Sequence, residues 1–230
     1  MRRIFLFFVF SMFSLAVFAK SWTNNVGVGT TISFSKIGVD ETNADDINQL
    51  GLGIEGFYLG CHENGFTAKI DYALGAALTK DINLQGTNTN TGFFTNIALG
   101  GGYSIYPTET FLISFTLMAG MDISVFTDEK TGYTYTNSSG EQVDADYDRS
   151  ISLDTINVGP DIFVRYKAGE HFGFFVNLSA RYIIAGLGKD ETNYTWEGTK
   201  NKEYTEQDKS DFDLFGYFRI QPTIGVSWTF

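Results

Sequence analysis

The last nineteen residues constrain this chain most. From Phe212 to Phe230, Phe212, Leu214, Gly216, Phe218, Ile220, Pro222, Ile224, Val226, Trp228 and Phe230 fall on one side of a period-two pattern. Asp213, Phe215, Tyr217, Arg219, Gln221, Thr223, Gly225, Ser227 and Thr229 fall on the other. A period of two is the signature of a strand, and this one is far longer than the five or six residues usual in globular sheets. Its length and its single apolar face suit a segment with lipid on one side and water on the other.

The same alternation recurs upstream and predicts seven more strands. The first spans about 22–34, with Trp22, Val26, Val28, Ile32 and Phe34 on one face. A polar loop over 36–48 leads to a second strand over 49–61. There the pattern set by Leu50, Leu52 and Ile54 is lost at Phe57-Tyr58-Leu59, so a bulge is expected near Glu55-Gly56 and the facing of Glu55 stays open. His62-Glu63-Asn64-Gly65 reads as a tight turn. The third strand points Thr67, Lys69, Asp71 and Ala73 inward, and residues 78–91 form a loop. The fourth carries Phe93, Ile97, Leu99, Tyr103 and Ile105 outward, and a turn at 107–110 follows. The fifth carries Phe111 to Val125 outward at odd positions, with Asp122 inward. A polar loop over 127–150 precedes the sixth strand, which has Asp161 and Arg165 inside. A turn at 167–171 and a seventh strand with Arg181 inside follow, and then a loop over 186–211.

After residue 19 no apolar run is long enough for a spanning helix, so crossing a bilayer requires a closed barrel. The expected fold is therefore all-β: an eight-stranded antiparallel up-and-down transmembrane β-barrel. The connections alternate short and long, as in barrels with tight turns at one membrane face and long loops at the other. Only 3 Pro occur, as expected where most residues donate to ladders. Aromatics such as Trp22, Tyr58, Phe66, Tyr103, Phe111, Tyr166, Phe172 and Trp228 gather at the strand ends joined by short turns, as an interfacial girdle would. The single Cys, Cys61, forms no internal disulfide, and a net charge of −11 argues against a nucleic-acid partner.

Thr223, Gly225, Trp228 and Phe230 stand in the register of the C-terminal signal of bacterial outer-membrane β-barrels, which this ending resembles. The resemblance implies that the barrel-assembly machinery reads the segment. At the other end, Arg2 and Arg3 precede an apolar run, Ile4 to Phe18, and a small-residue site at Val17-Phe18-Ala19. This predicts a cleaved signal peptide over 1–19 and a single barrel domain over 20–230, with formal charge −13 once the two arginines are lost (−11 minus 2). Signal-directed export to the outer membrane is expected, and an even strand count leaves both termini in the periplasm. The opening Ser21 to Gly29 and the hairpin Tyr58 to Asp71 resemble a treponeme-type spirochaetal family of small barrels. The OmpA, OmpX and OmpW kinds are similar at greater distance. The spirochaetal resemblance brings no catalytic residues with it.

Function then divides by what the inner face does. Glu55, Lys69, Asp71, Asp122, Asp161, Arg165, Arg181 and Arg219 form the expected lumen charge cluster, with Arg181 and Arg219 set to pair with Asp122. Buried opposite charges pair because isolated ones are costly. Such a cluster either plugs the barrel or lines a narrow path, and inward Gly27, Gly29, Gly100, Gly102 and Gly120 keep the path as an alternative. The first expectation is a monomeric structural or surface-interaction barrel whose outer loops meet an extracellular ligand. The alternative is a channel for small or apolar solutes, and a lipid-modifying enzyme is the remote one. His62 and His171 both fall in short turns, and Cys61 beside His62 lacks an orienting group, so no catalytic residue is assigned. Asp144, Asp146 and Asp148 start like a calcium loop, but Arg149 stands where Gly is needed, so no metal or cofactor is expected. Changing both Trp228 and Phe230 to Ala is expected to reduce outer-membrane assembly sharply, read as loss of the heat-modifiable band in isolated membranes. Normal assembly would refute the terminal signal.

Overall fold

Each of eight strands pairs with its neighbour in the chain, and the last returns to the first, closing a barrel. They are β1 (Trp22–Val39), β2 (Ile47–His62), β3 (Phe66–Thr79), β4 (Asn90–Thr108), β5 (Phe111–Thr136), β6 (Gln142–Lys167), β7 (Phe172–Gly198) and β8 (Lys202–Thr229). The structure is a computed structural model that describes residues 22–39, 46–80, 90–198 and 202–230. The expected leader lies outside the described residues.

The register fixes the stagger. Thr23 faces Cys61, which faces Thr67, then Gly102, Thr116, Asp161, Ser179 and Gln221. Gln221 follows Ile220, the partner of Phe34, and so lies level with Ser33. One circuit thus climbs ten residues (33 minus 23). With about 3.3 Å per residue and 4.8 Å between eight strands, the strands tilt by about 40°. The two ends of the described chain close the seam: Phe230 N–H donates to the Asn24 carbonyl at 3.0 Å, and Asn24 N–H to the Phe230 carbonyl at 3.2 Å.

Lipid-facing side chains form a continuous apolar band. Leu52, Ile54, Leu99, Leu117, Ile156, Val176 and Ile224 are all exposed, while their chain neighbours turn inward. Below the band lies the aromatic girdle. Trp22 meets Phe66 edge to face at 6.0 Å, Phe111 packs on Tyr166 at 5.3 Å, and Phe172 meets Trp228 at 5.1 Å. Rings of this kind suit the membrane–water interface, having an apolar body and, for Trp and Tyr, a polar tip.

Three local expectations are corrected. No bulge interrupts β2: its pairing with β1 and β3 runs unbroken through Glu55 and Gly56, and Glu55 faces inward, 1% exposed. The sequence loses its alternation there because Phe57, Leu59 and Cys61 also point inward, where apolar side chains were not expected. Secondly, β8 does not keep one facing over nineteen residues. Gly216 and Tyr217 both take positive φ (86° and 63°), the pairing with β7 is interrupted between Phe218 and Leu214, and the register with β1 shifts between Ile37 and Val39. Above this kink Leu214 turns inward, 1% exposed, and Phe215 outward, 57% exposed. Positive φ is costly for a non-Gly residue; Gly216 supplies it freely and Tyr217 is carried with it.

Thirdly, residues 127–150 and 186–211 are largely strand. β5 and β6 pair out to Thr136 opposite Gln142, leaving only 137–141 as a turn, and β7 and β8 pair out to Gly198 opposite Lys202. These polar stretches are rich in Thr and Tyr, which favour strands, and they pair with one another in water. β5 to β8 have 26, 26, 27 and 28 residues, against 18, 16, 14 and 19 for β1 to β4. Half of the barrel therefore continues beyond the apolar band as a four-stranded projecting sheet.

Met121 lies outward in the band, 43% exposed. Met121→Arg is expected to cost about 2–4 kcal/mol of folding free energy in lipid vesicles, as for cations near the bilayer midplane. Thr134→Arg, on the projecting sheet, is expected to cost little. Equal losses in a reversible vesicle-refolding titration would show the facing to be wrong.

Candidate functional site: a stratified lumen beneath a projecting sheet

The inner face is layered. At the turn-bearing end, Phe57, Leu59, Cys61, Leu112, Phe163 and Phe175 form an apolar floor. Phe57 lies 4.8 Å from both Phe163 and Phe175 by ring centroids, and Phe163 stacks on Phe175 at 5.4 Å. Glycines paired with two of them on the neighbouring strands make room for these rings. A Cβ on Gly27 would sit 2.5 Å from the Phe57 ring, and one on Gly225 would sit 2.7 Å from the Phe175 ring. Inward glycine was the feature that favoured an open path; here the rings occupy the space it leaves.

Above the floor lies the charged tier. Lys69 Nζ donates to Asp161 Oδ1 at 2.7 Å and to Asn177 Oδ1 at 3.1 Å, and stands 3.7 Å from Asp71 Oδ2. Arg181 Nη2 donates to both Asp71 oxygens at 3.1 and 3.2 Å, rather than to Asp122. Arg219 pairs with Asp122 and donates from Nε to Ser33 Oγ at 3.2 Å, while Asn157 Nδ2 donates to Asp122 Oδ2 at 2.7 Å. Glu55 is held by neutral donors: Thr223 Oγ1 and Gln221 Nε2, each at 2.6 Å. Lys69, Asp71, Asp161 and Arg181 all have side chains no more than 2% exposed. Mutual pairing and amide hydrogen bonds are what make such burial tolerable.

Arg165 does not join this tier. It lies beneath the floor, donating to Ser227 Oγ at 2.7 Å and to the His171 carbonyl at 3.1 Å. Asp71 on β3 and Arg181 on β7 meet across the lumen because the strand tilt and register bring them to one level.

A second apolar layer closes the tier from above: Ile37, Phe94, Phe126, Ile151, Leu153, Ile183 and Leu214 are each at most 4% exposed. Between this roof and the Asp122–Arg219 pair, a cavity of about 10 Å³ is lined by Ser33, Gln49, Ser124 and Thr155 among others. That is space for roughly one water. The lumen is thus sealed by two apolar layers with charge between them, an arrangement that pairing arguments on charge alone did not reveal.

Beyond the roof, the lumen face continues up the projecting sheet as an aromatic cluster. Tyr135 stacks on Tyr194 at 4.0 Å, and Trp196 stacks on Tyr204 at 5.9 Å. Tyr133 and Tyr147 pack beside them at 5.5 Å. Buried Ala145 on β6 leaves room for a ring on β5 to reach across to β7. The sheet is curled further by Glu206 on β8, which accepts hydrogen bonds from Tyr135 Oη and Ser138 Oγ, both at 2.7 Å, clasping the β5–β6 tip. These bonds lower the Glu206 pKa and push that of Tyr135 up to about 12, mainly because the phenol donates to the carboxylate. Arg149 and Asp190 form an ion pair at the base of the cluster, with Arg149 Nε to Asp190 Oδ1 at 2.8 Å.

The remaining sequence candidates separate. Cys61 points into the floor and His62 outward against Trp22 at 5.3 Å, because neighbouring strand residues face opposite ways. Asp144, Asp146 and Asp148 lie along β6 rather than in a loop, and among the described residues no acidic, His or Cys group is arranged to hold a metal. In the terminal motif, Thr223 bonds Thr31 at 2.9 Å as well as Glu55, and Gly225 admits the Phe175 ring, so both also serve the fold.

No protein-family model and no curated protein matches the chain. Among solved structures, it is similar to a major outer membrane protein of Thermus thermophilus, at 11% identity and TM-score 0.49, covering 89% of this chain and 99% of that one. It is also similar to Ail, the attachment invasion locus protein of Yersinia pestis, in complex with the heparin analogue sucrose octasulfate: 11% identity, TM-score 0.46, 91% and 99% covered. A third is the outer membrane protein OprG of Pseudomonas aeruginosa: 12% identity, TM-score 0.46, 92% and 97% covered.

Because apolar layers bound the charged tier, Arg181→Ser with Arg219→Ser is expected to lower thermal stability yet leave conductance in planar bilayers near zero. Stable discrete openings in that variant would show that the charges alone seal the lumen.

Proposed function

We propose that this protein is a bacterial outer-membrane barrel whose work is done by the projecting sheet, which meets extracellular molecules, while the lumen is a structural plug. The observation that carries this reading is the continuation of β5 to β8 as one paired, aromatic-cored sheet above a sealed lumen. Order costs conformational entropy. A chain that needed only an anchor would end its strands at the membrane surface, as β1 to β3 do. In the same reading residues 1–19 are the export signal, both termini are periplasmic, and assembly uses the barrel machinery through the C-terminal strand. The barrel works as a monomer without catalysis, and its kinship lies with the treponeme-type small barrels.

A second reading draws on the wall. The β8 kink leaves a groove of about 570 Å³ lined by Gly38, Tyr182, Phe215, Gly216 and Phe218 at the outer edge of the apolar band. Such a groove suits an apolar solute passing between outer space and lipid. Uptake of a small aromatic hydrocarbon by vesicles, raised by the barrel, would favour it.

The test of the first reading shortens one hairpin. Joining Glu129 to Asp148 through an Asn-Gly turn, with residues 130–147 removed, keeps a directly opposed pair at the new tip. The variant is expected to insert and remain heat-modifiable, and cells displaying it are expected to adhere to a host-cell monolayer several-fold less than cells displaying the full chain. Equal adhesion would refute the role given to the sheet.

A further inference from the structure

On the short side of the barrel, the outward face of β1, β2 and β3 presents two rows. The lower row is apolar: Phe34 faces Leu50, which faces Leu78. All three are exposed, at 49%, 40% and 38%. Two residues higher on each strand stand Lys36, Asn48 and Lys80. Lys36 faces Asn48, and the register that sets Gln49 against Thr79 brings Asn48 level with Lys80. Phe218, the partner of Lys36 on β8, closes the side, 47% exposed. Together these residues line a groove of about 610 Å³.

The medium beside the lower row is fixed by the fold. Phe34, Leu50 and Leu78 belong to the lipid-facing band, so acyl chains lie against them. The lysines stand about 7 Å further along the strands, which is the headgroup side of that band. Lys36 is oriented: its ammonium lies 3.1 Å from Asp46 and 4.2 Å above the Tyr217 ring. Among the described residues, two cations against one carboxylate leave this corner net positive.

The described outward faces of the long strands have the opposite sign. On the outward faces of the long strands Glu129 stands directly opposite Asp148, with Asp146 beside them on β6, and Asp211 lies opposite Lys189. Positive charge on the lipid side is thus placed above the short strands, where among the described residues no projecting sheet covers the headgroup layer.

We propose that this groove binds a phosphate-bearing acidic lipid of the outer leaflet, its acyl chains on Phe34, Leu50, Leu78 and Phe218 and its phosphate between Lys36 and Lys80. Across two strand spacings the lysine Cα atoms are about 10 Å apart, a span that two long side chains close onto one phosphate. The expected preference over a zwitterionic lipid is about fivefold, the effect of one net lysine near a membrane surface.

The test is lipid retention. The full-length barrel, refolded in phosphatidylcholine vesicles holding a minor share of phosphatidylglycerol, is released into mild detergent and its bound lipids are counted by native mass spectrometry. Wild type is expected to retain phosphatidylglycerol about fivefold above its share. Lys36→Gln with Lys80→Gln is expected to lose that enrichment, and Lys189→Gln with Lys209→Gln, an equal change of charge on the long strands, to keep it. Lys80→Gln alone, at the end of β3, serves if the double variant fails to fold, and is expected to weaken the enrichment. Retention of the two lipids at their mixing ratio by wild type overturns the proposal, as does enrichment that survives loss of both lysines. Added inorganic phosphate is expected to leave the enrichment intact; its loss would assign the lysines to a free anion and overturn the lipid.

Discussion

A barrel of eight strands with a stagger of ten residues has an interior whose width is set by geometry before any side chain is chosen. Everything inside must fill that fixed space, and here filling alternates between two kinds of matter. Rings and aliphatic chains form the floor and the roof; carboxylates, amides, one lysine and two arginines fill the middle. The glycines follow from the rings. Where a Phe turns into the lumen, its partner on the next strand has no side chain, as at Gly27 beside Phe57. The charges in turn depend on the layers that keep water from them. With solvent excluded, Asp71, Asp161 and Lys69 must satisfy one another, and their hydrogen bonds to Asn177 and Thr116 complete the set.

The same closure explains the division of labour around the ring. A sealed lumen leaves the outside of the barrel and its extensions as the surfaces that meet other molecules. The strands respond unequally: β1 to β3 stop near the membrane surface, whereas β5 to β8 continue. An extended open sheet has exposed edges and little core of its own. This one gains a core by curling, since Tyr135 reaches Tyr194 over Ala145 and Glu206 clasps the hairpin tip. The result is a projection with an aromatic inner face and a largely acidic outer one, beside a sector of shorter strands.

The strands that cross the bilayer, their order, their short turns, the aromatic girdle and the facing of Asp122, Asp161 and Arg181 are all legible in the sequence. Lipid on one side and a crowded lumen on the other impose a period of two, and periodicity is local. The projecting sheet is not legible, because strands paired in water on both faces need no apolar alternation, and residues 127–150 and 186–211 look like loops by polarity alone. Alternation also puts Phe212 and Leu214 in lipid, since it runs unbroken through Gly216 and only the backbone turn at Gly216-Tyr217 reverses it. Who meets whom across the lumen is settled by the closed ring: Arg181 with Asp71 rather than Asp122, and Arg165 beneath the floor. Those contacts join residues up to 110 positions apart. They depend on strand tilt and accumulated register, quantities that belong to the whole barrel and to no single strand.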